Sequence, residues 1–124
     1  MRCMQALQIH AGPRARIRLA ERGLRADDVR IIPAAAGGPK GLILNALDQH
    51  VFGPWLGASA QEVHLLGASI GAWRMATACL GNAEEEFARL AEEYAHQDYE
   101  HLPGKPPTAG SVSRGFAAKL DEVF

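Results

Sequence analysis

The sequence predicts an α/β domain with a mainly parallel sheet. Two observations predict it: two short apolar runs each lead into a glycine-containing turn, and each turn is followed by a stretch with helical periodicity. Strands alternating with helices pair in parallel, because the intervening helix carries the chain back to the same end of the sheet. Of 124 residues, 48% are hydrophobic and 22% charged, proportions of a folding globular domain and not of a disordered chain.

Taken in order, Pro13 to Arg22 reads as a helix, with proline in the first turn, Ile17 and Ala20 three apart, and Gly23 as its stop. Leu24 is expected to fold back onto Leu19. Val29 to Ala36 reads as a buried strand, since Val29, Ile31 and Ile32 are β-branched. A helix from Pro39 to about Phe52 follows, with Leu44, Leu47 and Val51 on one face and Gly53-Pro54 at its end. Val63 to Leu66 is the second strand. Ile70 to Leu80 is apolar nearly all round apart from Arg74 and Thr77, the pattern of a buried helix, with Gly81 as its stop. Asn82 and Glu85 form a capping-box pattern, and Phe87, Leu90, Ala91 and Tyr94 mark the buried face of the next helix. Pro103, Gly104, Pro106 and Pro107 make His101 to Gly110 a loop. Ser113 to Phe124 places Phe116, Leu120 and Phe124 on one helical face. Two strands are few for a parallel sheet, and no stop signal follows that last stripe. Residues 1–124 are therefore expected to form the N-terminal portion of one domain, with the stripe as a surface for homo-association.

The formal net charge of −1 hides an asymmetry. Arg2, Arg14, Arg16, Arg18, Arg22, Arg25 and Arg30 crowd the start, whereas residues 84–100 are acidic. Such charges are ordinarily a solvated face, so no nucleic-acid partner is expected. Cys3 and Cys79 lie too far apart for a paired-thiol motif, which predicts neither a disulfide nor a metal framework; Cys79, in an apolar run, reads as a buried reduced thiol. The start lacks the apolar stretch of a signal peptide and no segment has the length of a transmembrane span. A cytoplasmic location follows as an expectation.

Chemistry concentrates in the two turns. Gly67-Ala68-Ser69-Ile70-Gly71 stands between the second strand and a helix, where a tight turn lifts a serine hydroxyl clear of the backbone and a side chain at Gly67 or Gly71 would crowd it. Ala34-Ala35-Ala36-Gly37-Gly38-Pro39-Lys40-Gly41 stands between the first strand and its helix, where free N–H groups can bind an oxyanion. A phosphate loop of the G-x-x-x-x-G-K-[ST] kind fails here, because Lys40 precedes Gly41 and Leu42 follows it, and the dinucleotide spacing G-x-G-x-x-G fails as well. No cofactor is implied.

In this order the two turns resemble patatin-like phospholipases, whose oxyanion loop G-G-G-x-[RK]-G precedes a G-x-S-x-G nucleophile turn. The Gly-Gly-Pro-Lys-Gly form and the Gly-Ala-Ser-Ile-Gly-Ala-Trp-Arg run look like those of a bacterial branch of that family, and a looser similarity extends from about Gly12 to the C-terminus. The resemblance implies a three-layer sandwich and a serine lipid acyl hydrolase acting on phospholipid or related esters at a membrane surface. It casts Ser69 as nucleophile, Gly37 and Gly38 as oxyanion donors, and Lys40 as the family's basic residue. Ala36 departs from the pattern, standing where the first glycine usually lies. A chain peripheral to a membrane would fit this reading. An acyltransferase using a G-H-S-x-G turn is disfavoured, because Ala68 replaces its histidine.

The same resemblance assigns the general base to an aspartate in a downstream D-G-[AG] motif, which this sequence lacks. Asp27, Asp28, Asp48, Asp98 and Asp121 read as surface or capping residues, and His96 or His101 with Asp98 would make an improbable triad at one helix end. Loss of a general base removes about 100- to 10,000-fold in rate, so the 124 residues alone are expected to be nearly inactive. The alternative is a non-catalytic chain that completes its sheet with another.

Overall fold

A computed structural model describes residues 8–123, and the expectations for Arg2, Cys3 and Phe124 lie outside the described residues. The order is α1 (Pro13–Arg22), β1 (Ile31–Ala34), a 3-10 segment (Gly38–Leu44), α2 (Asn45–His50), a π turn (Val51–Trp55), β2 (His64–Gly67), α3 (Ile70–Thr77), α4 (Ala83–Ala95) and α5 (Ala109–Val123). The fold class is mixed α/β: β1 and β2 pair in parallel with Ile31 opposite His64 and Ala34 opposite Gly67.

The hydrogen bonds His64 N–H to Arg30 C=O and Ala68 N–H to Ala34 C=O set which edge each residue of β1 presents. Even-numbered residues of β1 exchange bonds with β2, so Pro33 falls on the outer edge, where its missing N–H costs the ladder nothing and discourages another strand. One sheet face packs on α3 through Ala34. The opposite face is open: Ile31 is 56% exposed and Leu66 57%. The sequence reading of Val29 to Ala36 as a buried strand is thus corrected. The strand is shorter, and only Ala34 is buried, because among the described residues no second layer covers Ile31 and Pro33.

The expected helix from Pro39 to Phe52 is instead three short pieces. A 3-10 segment absorbs the glycines, α2 takes only six residues, and the chain then widens into a π turn with Pro54 inside it, so Gly53-Pro54 does not terminate the run. The apolar face is not the predicted one, since Leu44 and Leu47 are exposed while Gly41 and Asp48 turn inward. Asn45 Nδ2 donates to the Phe87 carbonyl at 2.6 Å and ties α2 to α4.

The core sits where α2, α3 and α4 meet. Phe87, fully buried, stacks on Phe52 with ring centroids 5.6 Å apart, and Ile70 and Met75 complete it. Helix α4 matches its predicted face, though Asn82 makes no side-chain cap bond and the capping box does not form. Helix α3 ends at Thr77, earlier than Gly81, which leaves Cys79 exposed and not buried. Helix α5 starts at Ala109, inside the predicted loop, because the Thr108 hydroxyl accepts the Ser111 N–H at 3.1 Å and nucleates the first turn. It is held by Phe116 against Trp73 and Tyr99, at 5.8 and 6.1 Å between ring centroids, and by Lys119 to Glu93 at 2.9 Å. Helix α1 ends at Gly23 as expected, and Arg18 and Arg22 both pair with Asp28. Among the described residues no helix is long and apolar enough to cross a membrane.

Candidate active site

Ser69 is the one non-glycine residue among those described with a positive φ: its backbone sits at φ 54°, ψ −128°. L-residues avoid this region, at a cost of about 1–3 kcal/mol, and keep it only where the surroundings leave no other path. Here the surroundings are two glycines. A Cβ on Gly67 would lie 2.5 Å from Ala72 N, and one on Gly71 would lie 2.7 Å from the Ala34 carbonyl carbon and 2.8 Å from Ala35 O. The chain can therefore turn sharply from β2 into α3 only with no side chain at either position, as the spacing predicted. Ser69 is exposed at the head of α3, and its carbonyl accepts from Ala72 and Trp73.

The second turn lies beside the first. Gly71 abuts Ala34 and Ala35, and a Cβ on Gly41 would meet the Ile70 side chain at 2.9 Å, so both ends of the glycine loop touch the residues that frame Ser69. Gly38 has φ +53°, a conformation that favours glycine, and Gly37 has extended φ. Neither the Gly38 nor the Ile70 N–H bonds a backbone carbonyl among the described residues. The sequence reading did not single out Ile70 as a donor, although it follows Ser69, the position that supplies one such N–H in G-x-S-x-G turns. Lys40 is exposed and forms no ion pair among the described residues.

Behind the two turns, Arg74 Nε donates to Asp48 Oδ2 at 2.6 Å and Arg74 Nη2 to Asp48 Oδ1 at 2.7 Å. Asp48 is 4% exposed and Arg74 9%, which corrects the reading of Asp48 as a surface or capping residue. The hydrogen bond to Asp48 holds the Arg74 guanidinium above its ordinary pKa against the opposing effect of burial. The signal was present in the sequence as an arginine inside an apolar helix, which requires a buried carboxylate partner.

No carboxylate or imidazole hydrogen-bonds the Ser69 hydroxyl among the described residues. Asp27 and Asp28 are engaged by Arg25, Arg18 and Arg22, and Asp98 accepts the Tyr99 N–H at 2.8 Å beyond the end of α4. No group of His, Cys, Asp and Glu able to hold a metal occurs among the described residues. A separate cavity of about 360 Å3 opens between α3, α4 and α5, with Trp73, Tyr94 and Phe116 in its wall, and Ser69 does not line it. Comparison with family models, with curated proteins and with solved structures gives no match.

Proposed function

We propose that the chain carries the nucleophile and oxyanion elements of a serine lipid acyl hydrolase of the patatin-like type, with phospholipid or related esters at a membrane surface as substrate. The observation that supports it most is the strained backbone of Ser69 at a strand-to-helix turn flanked by Gly67 and Gly71. In the proposed reaction Ser69 Oγ bonds to the ester carbonyl carbon and its proton passes to a base. The carbonyl oxygen becomes an oxyanion that takes hydrogen bonds from the N–H groups of Gly37 and Gly38, joined by that of Ile70, while Lys40 adds positive charge. The alcohol then leaves with a proton, and water releases the acid from the acyl-serine. The resemblance assigns the base to an aspartate in a motif that the 124 residues do not contain, so turnover by them alone is expected to be nearly absent.

The test therefore reads adduct formation at equilibrium. An alkyl boronic acid should form a tetrahedral adduct with Ser69, seen by boron NMR, that Ser69→Ala abolishes and Gly38→Ala weakens. A boronic acid that stays trigonal with the wild-type chain would count against the reading. Rapid fluorophosphonate labelling of wild type, lost in Ser69→Ala, would support the nucleophile but show that a base is present after all.

A second reading is favoured by the open sheet face at Ile31 and Leu66: a non-catalytic chain that associates with another to cover it. A monodisperse, cooperatively unfolding monomer would exclude it.

A further inference from the structure

We infer that the buried Asp48–Arg74 pair is a positioning device that fixes how far the glycine loop slides against the Ser69 turn; its functional meaning rests on the serine hydrolase reading. Arg74 lies five residues beyond Ser69 on α3, about 7.5 Å along the helix. Asp48 lies on α2, which continues directly from the 3-10 segment that begins at Gly38. The pair thus links the two elements that carry the proposed nucleophile and the proposed oxyanion donors, behind the surface at which they meet.

Packing alone specifies this register poorly. Besides the Ala68 N–H to Ala34 C=O hydrogen bond that closes the ladder, the two turns meet with Gly41 on Ile70 and Gly71 on Ala34, close backbone approaches that offer few side chains to interlock. The segment is also short in regular structure, passing from 3-10 to α to π geometry within residues 38–55. Two parallel hydrogen bonds between a planar guanidinium and a carboxylate have one relative orientation, so they fix rotation and translation together. Apolar side chains would fill the same volume without the cost of taking two charges out of water, which makes a register role the better account of why ions stand there.

The test replaces the pair by apolar residues of similar size, Asp48→Leu with Arg74→Met. That double variant is expected to keep the wild-type Tm or exceed it. Proton NMR contacts between Gly41 Hα and the Ile70 methyls should be lost while those between Phe52 and Phe87 persist, and butylboronic acid affinity should fall about tenfold or more. Arg74→Lys, which keeps the charge but has no fork, should behave in the same direction and replaces the double variant if that does not fold. Retention of both the Gly41–Ile70 contacts and the boronate affinity in a folded variant would overturn the inference. If the wild type binds no boronate, the hydrolase reading fails, and the NMR contacts alone decide whether the pair sets the register.

Discussion

Gly71 packs against Ala34 so closely that a Cβ at position 71 would lie 2.7 Å from the Ala34 carbonyl carbon, joining the Ser69 turn to the end of the first strand. The obstacle is backbone within a hydrogen-bonded strand and cannot swing aside as a flexible side chain would. Gly71→Ala should cost about 3 kcal/mol or more in urea denaturation, in the range of overpacking and backbone strain. Gly81→Ala, where the added Cβ meets nothing within 4 Å, should stay within about 0.5 kcal/mol of wild type. Equal effects at the two positions would mean that the turn is not packed in this way.

The buried apolar core is small. Phe87 is its one fully enclosed aromatic ring among the described residues, and its backbone carbonyl also accepts from Asn45. Phe87→Ala should cost about 3–5 kcal/mol, enough to unfold a chain with few other buried side chains. Phe52→Ala, which removes a half-buried stacking partner, should cost less. Circular dichroism at increasing urea would rank the two, and the reverse order would relocate the core.

Much of the fold was legible because local chemistry sets it. Gly23 ends α1, the 3.6-residue periodicity of Phe87, Leu90, Ala91 and Tyr94 marks α4, and the glycines at 67 and 71 announce a tight turn whatever surrounds it. What escaped the sequence reading depends on partners distant along the chain. Asp48 looks like a solvated helix residue until Arg74, 26 positions later, is placed against it. Leu44 and Leu47 seem to define a buried face only if the segment is a continuous α-helix, and the 3-10 start rotates that face away. Whether the sheet is covered cannot be told from β1 and β2, since coverage is a property of other elements. For the site, the sequence pointed to the turn around Ser69 through Gly67 and Gly71, but not to Ser69 as the non-glycine position of positive φ among the described residues.

Helix α5 should dock through charge as well as through Phe116. Lys119 is held above its ordinary value of 10.5, first by its hydrogen bond to Glu122 and then by that to Glu93. Glu122 is held below its ordinary value of 4.5 by Lys119. A raised lysine contributes fully below 10.5 and loses its contribution as pH rises through the raised value. A lowered carboxyl contributes fully above 4.5 and loses its contribution as pH falls through the lowered value. Glu122 lies on α5 itself, so of these two pairs only Lys119–Glu93 ties α5 to α4; docking should therefore weaken as pH rises through the raised lysine value, and it should weaken with salt because that pair is only half-buried. Trp73 fluorescence in a Trp55→Phe background reports it through the Trp73–Phe116 contact. Lys119→Met should remove the alkaline arm, and persistence of that arm would assign it to another group.

The Ser69 backbone makes the last prediction, in which removing the proposed nucleophile strengthens the fold. At φ 54°, ψ −128° a serine carries about 1–3 kcal/mol of strain that glycine does not. Glycine in turn raises the entropy of the unfolded chain, at about 0.5–1 kcal/mol. Ser69→Gly should thus be more stable than wild type by about 1 kcal/mol, the difference of those two effects. Ser69→Ala keeps a Cβ and therefore the strain, and should unfold within about 0.5 kcal/mol of wild type. Both variants should lose the boronate adduct. A serine retained at an exposed turn in a conformation that weakens the fold is what a trade of stability for reactivity requires. Ser69→Gly proving no more stable than Ser69→Ala in urea would show that the turn is relaxed and that Ser69 holds no strain to trade for reactivity.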